Sequence, residues 1–197
     1  MARPRAFDPD TALQDVMNVF WKKGYEGASL QDIEAATGLN KQSLYRAFGD
    51  KRAMYLAALD IYEKNIIAER IAPLVNTGDS AYDRFDTLFT NAITARTVNG
   101  DRRGCFLCNA SVDQAALDAG TGQKVQAMMG RIVTLFDGAL AATPPFDRDA
   151  DARRAQAQAL LAAFLGLRVL VKAGIEERAL IEAKDAALAP LRLVAAA

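Results

Sequence analysis

SLQDIEAATGLNKQSLYRAF, residues 29–48, is the stretch on which the fold turns. Ser29 suits a helix N-cap, and Asp32, three residues on, completes a capping box. Leu30 and Ile33 face inward at helical spacing until Gly38 stops the run. After Leu39, Asn40 caps a second short helix, Lys41 to Phe48. Two helices of eight to ten residues joined by Gly38-Leu39-Asn40 match a helix-turn-helix, whose second helix enters the DNA major groove. Ile33, Leu39, Leu44 and Phe48 are spaced to hold the unit together from inside. Lys41, Gln42, Ser43, Tyr45 and Arg46 are left on the outer face. Gln pairs with adenine edges, Arg or Lys with guanine, and Ser or Tyr with phosphate oxygens. Helix N-termini attract phosphate, which makes Ser29 and the Asp50-Lys51 cap candidate clamps on either side. An ordinary αα-corner with a polar face has the same spacing, and spacing alone does not separate the two.

Working outward, the chain reads as helix almost throughout, with no alternating strand pattern and no internal repeat. A first helix begins at Asp8-Pro9-Asp10 and carries Leu13, Val16, Met17 and Phe20 inward until Gly24. Asp50 caps a long fourth helix with Tyr55, Leu56, Leu59 and Tyr62 on its buried stripe. Further helices are expected from Ser80, with Phe85, Leu88 and Phe89 on one face, and from Cys105. Another is marked by Val125, Met128, Ile132 and Phe136. Pro144-Pro145 opens a linker, and two closing helices, about 152–173 and 176–194, divide at Gly174. The expected organisation is all-α: a DNA-binding domain over 1–52 and an effector-binding and dimerisation bundle over 53–197.

The 197 residues are 51% hydrophobic and 24% charged, an ordinary globular composition, with Lys+Arg and Asp+Glu balanced at 24 each. Residues 1–52 hold eight basic and seven acidic side chains; the positive excess gathers at Lys41, Arg46, Lys51 and Arg52 against Asp50. No apolar stretch follows Arg3 and Arg5, so no signal peptide is expected. The longest apolar run, Ala159 to Leu167, is far shorter than the ~20 residues of a membrane helix. The expected compartment is the cytoplasm, with no membrane partner and two reduced cysteines. The absence of histidine removes the commonest metal ligand and general base. No catalytic set, metal site or cofactor is expected.

From Phe20 to Lys51 the sequence FWKKGYEGASLQDIEAATGLNKQSLYRAFGDK resembles the DNA-binding domain of the tetracycline-repressor-like (TetR) regulators. Gly38, Leu44, Tyr45, Phe48 and Lys51 carry the signature, and the match continues through Met54. The resemblance implies a recognition helix at Lys41–Phe48 and phosphate contacts from Ser29, Tyr45 and Lys51, with Ser replacing the usual Thr at 29. It also suggests that Arg3 and Arg5 form a basic arm for the minor groove. The implied function is a repressor that binds double-stranded operator DNA as a homodimer and is released by a small-molecule or redox signal. Residues 103–110, RGCFLCNA, look like an element found in one branch of the family. The closing helices resemble its dimer-forming pair, so Leu160, Leu161, Phe164, Leu167 and Val171 are the candidate interface. The same residues would also serve to complete the monomer core.

Cys105 and Cys108 share a helical face, and Arg102, Arg103 and the helix N-terminus would favour a thiolate. A cytosolic thiol-redox protein is therefore the competing class, although the βαβ context of a thiol oxidoreductase is missing. Free cysteines more commonly pack as small hydrophobes. Phe85, Phe89, Met128 and Phe136, with the cysteines, are the candidate effector-site residues, and plain core is the alternative for each.

Overall fold

The computed structural model describes residues 7–75, 78–101 and 103–195, and every regular element among them is helical. Arg3 and Arg5 lie outside the described residues. The helices are α1 (Pro9–Gly27), α2 (Leu30–Thr37), α3 (Lys41–Phe48) and α4 (Lys51–Ile61), then α5 (Ala68–Ile71), α6 (Ala81–Asn99), α7 (Phe106–Asp113), α8 (Ala119–Leu140), α9 (Ala150–Ala173) and α10 (Glu177–Ala195). A π-helical turn, Tyr62–Ile67, extends α4, and a 3-10 turn, Ala72–Val75, follows α5. Neither irregular turn is foreshadowed by the apolar periodicity, and α8 begins six residues before Val125.

The chain packs as two compact units. One runs to Ile67 and takes in Asn109–Val125; the other holds Ala68–Cys108 and the chain from Gln126 onward. Packing thus does not divide at residue 52, which lies inside α4.

In the first unit, Asp8 caps α1 by accepting the N–H groups of Asp10 (3.2 Å) and Thr11 (3.3 Å), with Pro9 in the first turn. Gly24 breaks the helical path at φ 73°, and one more turn carries it to Gly27. Val16, Met17, Phe20, Ile33, Leu44, Met54 and Leu59 are buried without measurable exposure. Edge-to-face aromatic pairs, Phe20–Tyr55 at 5.1 Å and Trp21–Tyr62 at 5.0 Å, join α1 to α4 and its extension. The later segment is tied in by charge. Arg52 Nε donates to Asp118 at 2.7 Å, and Lys124 pairs with Asp60. Asp118 also caps α8 by accepting the Thr121 N–H at 2.8 Å. A side chain at Gly120 would run into the Arg52 guanidinium, so the absence of a Cβ there leaves room for the pair.

In the second unit, α6, α9 and α10 pack against one another. Phe85, Phe89, Phe106, Met128, Phe136, Leu160 and Leu188 fill its interior. Arg84 stitches the 3-10 turn to α8 by donating to the carbonyls of Leu74 (3.1 Å) and Ala139 (2.7 Å). Arg153 holds Asp137 (3.2 Å) and the Phe146 carbonyl (3.0 Å). By length and composition α9 would pass for a membrane span. Its apolar residues divide between an inward face packed on α6 and α10 and an outward stripe of small side chains.

The Asp118 carboxyl is held at about 2 by hydrogen bonds from Arg52 first, then from the backbone and hydroxyl of Thr121. A carboxyl lowered on folding adds stability above its unfolded value, and that stability is lost as pH falls toward the folded one. The thermal midpoint should therefore drop between about pH 4 and pH 2. In Asp118→Asn that drop should be shallower, because Asp8 and Asp32, also lowered, remain. Circular-dichroism melts across this range check it; parallel curves for both proteins would remove Asp118 from the acid transition.

Candidate nucleic-acid interface

The turn between α2 and α3 is pinned at each residue. Gly38 takes a left-handed conformation, φ 67° and ψ 10°, and its N–H donates to the Glu34 carbonyl at 2.9 Å. A residue with a Cβ is strained there, which accounts for glycine in the turn. Thr37 accepts the Leu39 N–H at 3.2 Å and donates its hydroxyl to the Ile33 carbonyl at 2.8 Å. Asn40 caps α3 by accepting the Ser43 N–H at 2.9 Å. Glu34, on α2, accepts the Lys41 N–H at 2.5 Å and so clamps the start of α3 directly to its neighbour.

Leu44 is the one fully buried residue of α3, and burying such a side chain contributes about 1.5–3 kcal/mol. With Leu44 inward, helical geometry turns Lys41, Gln42, Tyr45 and Arg46 outward, and all four are exposed. Ser43 is half-buried. The Lys41 ammonium lies 5.4 Å from the centre of the Tyr45 ring.

Ser29 is exposed at the start of α2 but already engaged there. Its hydroxyl accepts the Asp32 N–H at 3.1 Å and donates to the Asp32 carboxylate at 2.8 Å, and that carboxylate accepts the Ser29 N–H at 2.9 Å. Lys23 reaches the same carboxylate at 2.5 Å and, with Ser29, holds it well below its ordinary range. Asp50 caps α4 by accepting the Ala53 N–H at 2.8 Å, which puts Lys51 in the first turn. The Lys51 ammonium lies over the face of Tyr25, 4.6 Å from its centre. Tyr25 is in turn wedged edge-on against Tyr55 at 5.0 Å and stacked on Phe20. Tyr25 was not foreseen from sequence, since an aromatic near a helix end reads only as core. An aromatic face attracts an ammonium without neutralising it, so Lys51 stays available to a phosphate.

The candidate effector residues are packed. Phe85 meets Phe136 edge-on at 5.0 Å, Phe89 meets Phe164 at 5.2 Å, and Met128 is fully buried. Cys105 and Cys108 are buried free thiols. A hydrogen bond with Cys105, then burial, pushes the Cys108 thiol above its ordinary range, and its sulfur lies 4.0 Å from the Leu165 carbonyl. The dimer candidates Leu160, Leu161, Leu167 and Val171 are buried within the second unit, and Phe164 packs on Phe89 and Phe136. They lie on the inward face of α9 because α6 and α10 bring apolar surface to meet them. The outward face carries Ala155, Ala159, Ala162, Gly166, Val169 and Leu170, all exposed. A hollow of about 180 Å³ opens at Gly166, bordered by Leu167, Leu170, Ala183 and Lys184.

Two short helices locked across a glycine turn, with a polar outward face on the second, define a helix-turn-helix domain. Residues 14–58 match the family of bacterial regulatory proteins named tetR. The chain is 35% identical over 107 residues to the HTH-type transcriptional repressor ComR of Escherichia coli K12, a match covering 54% of this chain and 51% of ComR. It is 30% identical over 118 residues to the uncharacterized HTH-type transcriptional regulator YezE of Bacillus subtilis 168, covering 60% of each. The matches thus span only about half to three-fifths of these curated relatives. A solved structure of the TetR family transcriptional regulator CifR, a cysteine mutant complexed with 26-bp double-strand operator DNA, superposes with a TM-score of 0.82 at 31% identity, covering 94% of this chain and 98% of that one. The chain belongs to the TetR family.

Contacts to phosphates and contacts to base edges predict different losses on truncation. Tyr45→Ala and Lys51→Ala should weaken binding to all duplex sequences alike, whereas Gln42→Ala and Arg46→Ala should relax preference at particular base pairs, by about 1–3 kcal/mol each for a bidentate contact. Tyr25→Leu should act like a milder Lys51→Ala, while Tyr25→Phe, which keeps the ring face, should match the parent. Fluorescence anisotropy on matched and scrambled duplexes compares the six variants with the parent. Unchanged affinity in every variant would remove α3 from the interface.

Proposed function

We propose that the chain is a one-component transcriptional repressor, binding palindromic operator DNA as a homodimer and released when its C-terminal domain takes up a small-molecule effector. Residues 1–52 serve the DNA and residues 53–197 the effector and the partner copy. The observation that carries this reading is the exposed Lys41, Gln42, Tyr45 and Arg46 face of a helix anchored by Leu44 and clamped by Glu34. The operator complex of CifR, which is similar over nearly the whole chain, supports it. In this reading Ser29, Ser43, Tyr45 and Lys51 hold phosphates, Lys41, Gln42 and Arg46 meet base edges, and Arg3 and Arg5 reach into the minor groove. The protein is a binding protein of the cytoplasm and not an enzyme. Burial and a raised thiol at Cys108 favour packing over thiol chemistry. Selection from a random duplex library, followed by anisotropy on the enriched sequence, tests the function; recovery of no palindrome and no saturable binding would overturn it.

One eight-residue helix reads too few base pairs for genomic selectivity, whereas two on a twofold axis read adjacent major grooves ~34–36 Å apart. The outward faces of α9 and α10 suit that partner. Small residues at 155, 159, 162 and 166 allow close helix approach, and the hollow at Gly166 has room for one side chain of the other copy. Ala162→Arg combined with Leu170→Glu places charge on this face without touching the monomer core. Sedimentation should find a folded monomer, with operator affinity reduced on the order of 100-fold or more by loss of the second half-site. An intact dimer would put the interface elsewhere.

Cys105→Ser with Cys108→Ser should bind operator in reducing buffer as the parent does. Titration with peroxide separates packing from a switch: release of the parent but not of the variant would establish a redox signal.

A further inference from the structure

Arg168 stands out on α9. It is the one charged side chain among the described residues that is buried, at 4% exposure. Its Nη2 donates to the Gly104 carbonyl at 2.7 Å, and among the described residues it forms no ion pair. A guanidinium has five N–H donors, and a neutral carbonyl does not balance its charge. Taking a charge out of water costs several kcal/mol, so buried cations are ordinarily paired. The nearby thiol does not serve as the missing anion. Cys108 is held neutral by its hydrogen bond with Cys105 and by burial, and its sulfur is directed at the Leu165 carbonyl. Asp101, the carboxylate nearest in sequence to Gly104, is occupied by Arg103 at 3.0 Å.

The surroundings say what would complete the site. One helical turn before Arg168, Phe164 occupies the middle of the inward face of α9, yet it is only half-buried, whereas Leu160, Leu161, Leu167 and Val171 around it are buried. Phe164 thus keeps part of its surface accessible, while its ring leans on Phe89 at 5.2 Å and Phe136 at 6.5 Å. Lys172, one turn further on, lies across Gly104, where a side chain would collide with it. The aliphatic stem of Lys172 thus packs over the same backbone segment at the start of α7.

We infer that the C-terminal unit takes an organic carboxylate, its anionic head paired with Arg168 and its apolar body against Phe164 and Phe89. This rests on the reading that the unit binds an effector, and it names the effector's chemical class. A planar guanidinium pairs with a carboxylate through two parallel hydrogen bonds, and the aromatic wall accepts an aryl or alkyl group. The ligand brings the charge that the fold omits.

The probes are benzoate and hexanoate, with benzamide, benzyl alcohol and inorganic phosphate as controls, in thermal-shift titrations of the full-length protein. The carboxylates should raise the parent's midpoint by about 3–5 °C at tenfold excess over Kd, and the neutral analogues and phosphate should not. Arg168→Met keeps the bulk and removes the charge. Its midpoint without ligand should equal or exceed the parent's, and the carboxylate shift should vanish. An Arg168 that merely ties down Gly104 would give the opposite result: a lower midpoint in the variant and equal shifts, or none, in both proteins. Phosphate acting as well as benzoate would overturn the organic-acid class. Anisotropy of the parent on its selected duplex is measured separately. Failure there would sink the regulator reading, whereas the thermal shifts report on the anion site in either case.

Discussion

A helix of eight residues does not persist alone in water, so α3 depends on being held. Leu44 provides the hold: it is the single fully buried residue of the helix, set beneath an otherwise polar surface. Once it is inserted, the orientation of every other α3 side chain follows from helical geometry. Glu34 then sets the helix's axial position by taking the Lys41 N–H, and Asn40 closes its first turn. The outward residues need contribute nothing to stability and are left to the chemistry of recognition. That separation of tasks within eight residues leaves the polar positions free to carry Lys41, Gln42, Tyr45 and Arg46 on a fixed frame.

Much of this was legible in the sequence because it is local. Ser29 with Asp32, Gly38, Asn40 and Asp50 each act on groups within a few residues, and the structure finds each in its cap or turn. The inward assignments of Ile33 and Leu44 followed from periodicity in the same way. What sequence did not disclose is what depends on distant partners. Asp118 carries no periodic signal, since its importance comes from Arg52. Tyr25 needed the position of Lys51 to gain a role beyond packing.

The closing helices illustrate a different limit. An apolar stripe says that a helix face is covered but not by what. Leu160, Leu161, Leu167 and Val171, which could have faced a partner or completed the core, are covered by their own chain, and a run of small residues forms the outward face. Nothing local to Arg168 marks it as buried either. Its burial became visible only when the loop carrying Gly104 was folded against it. In both cases composition was clear and the direction of each side chain was not.

The ion pair between Arg52 and Asp118 spans 66 positions of chain. During synthesis at 5–20 residues per second, the aspartate is added ~3–13 s after the arginine. All the helices that would meet DNA are therefore made well before the segment that braces α4. A nascent chain passes through an interval in which the reading head exists without its brace. Completion of the N-terminal unit is thus coupled in time to emergence of the chain through α7 and into α8, a delay that chain order alone imposes.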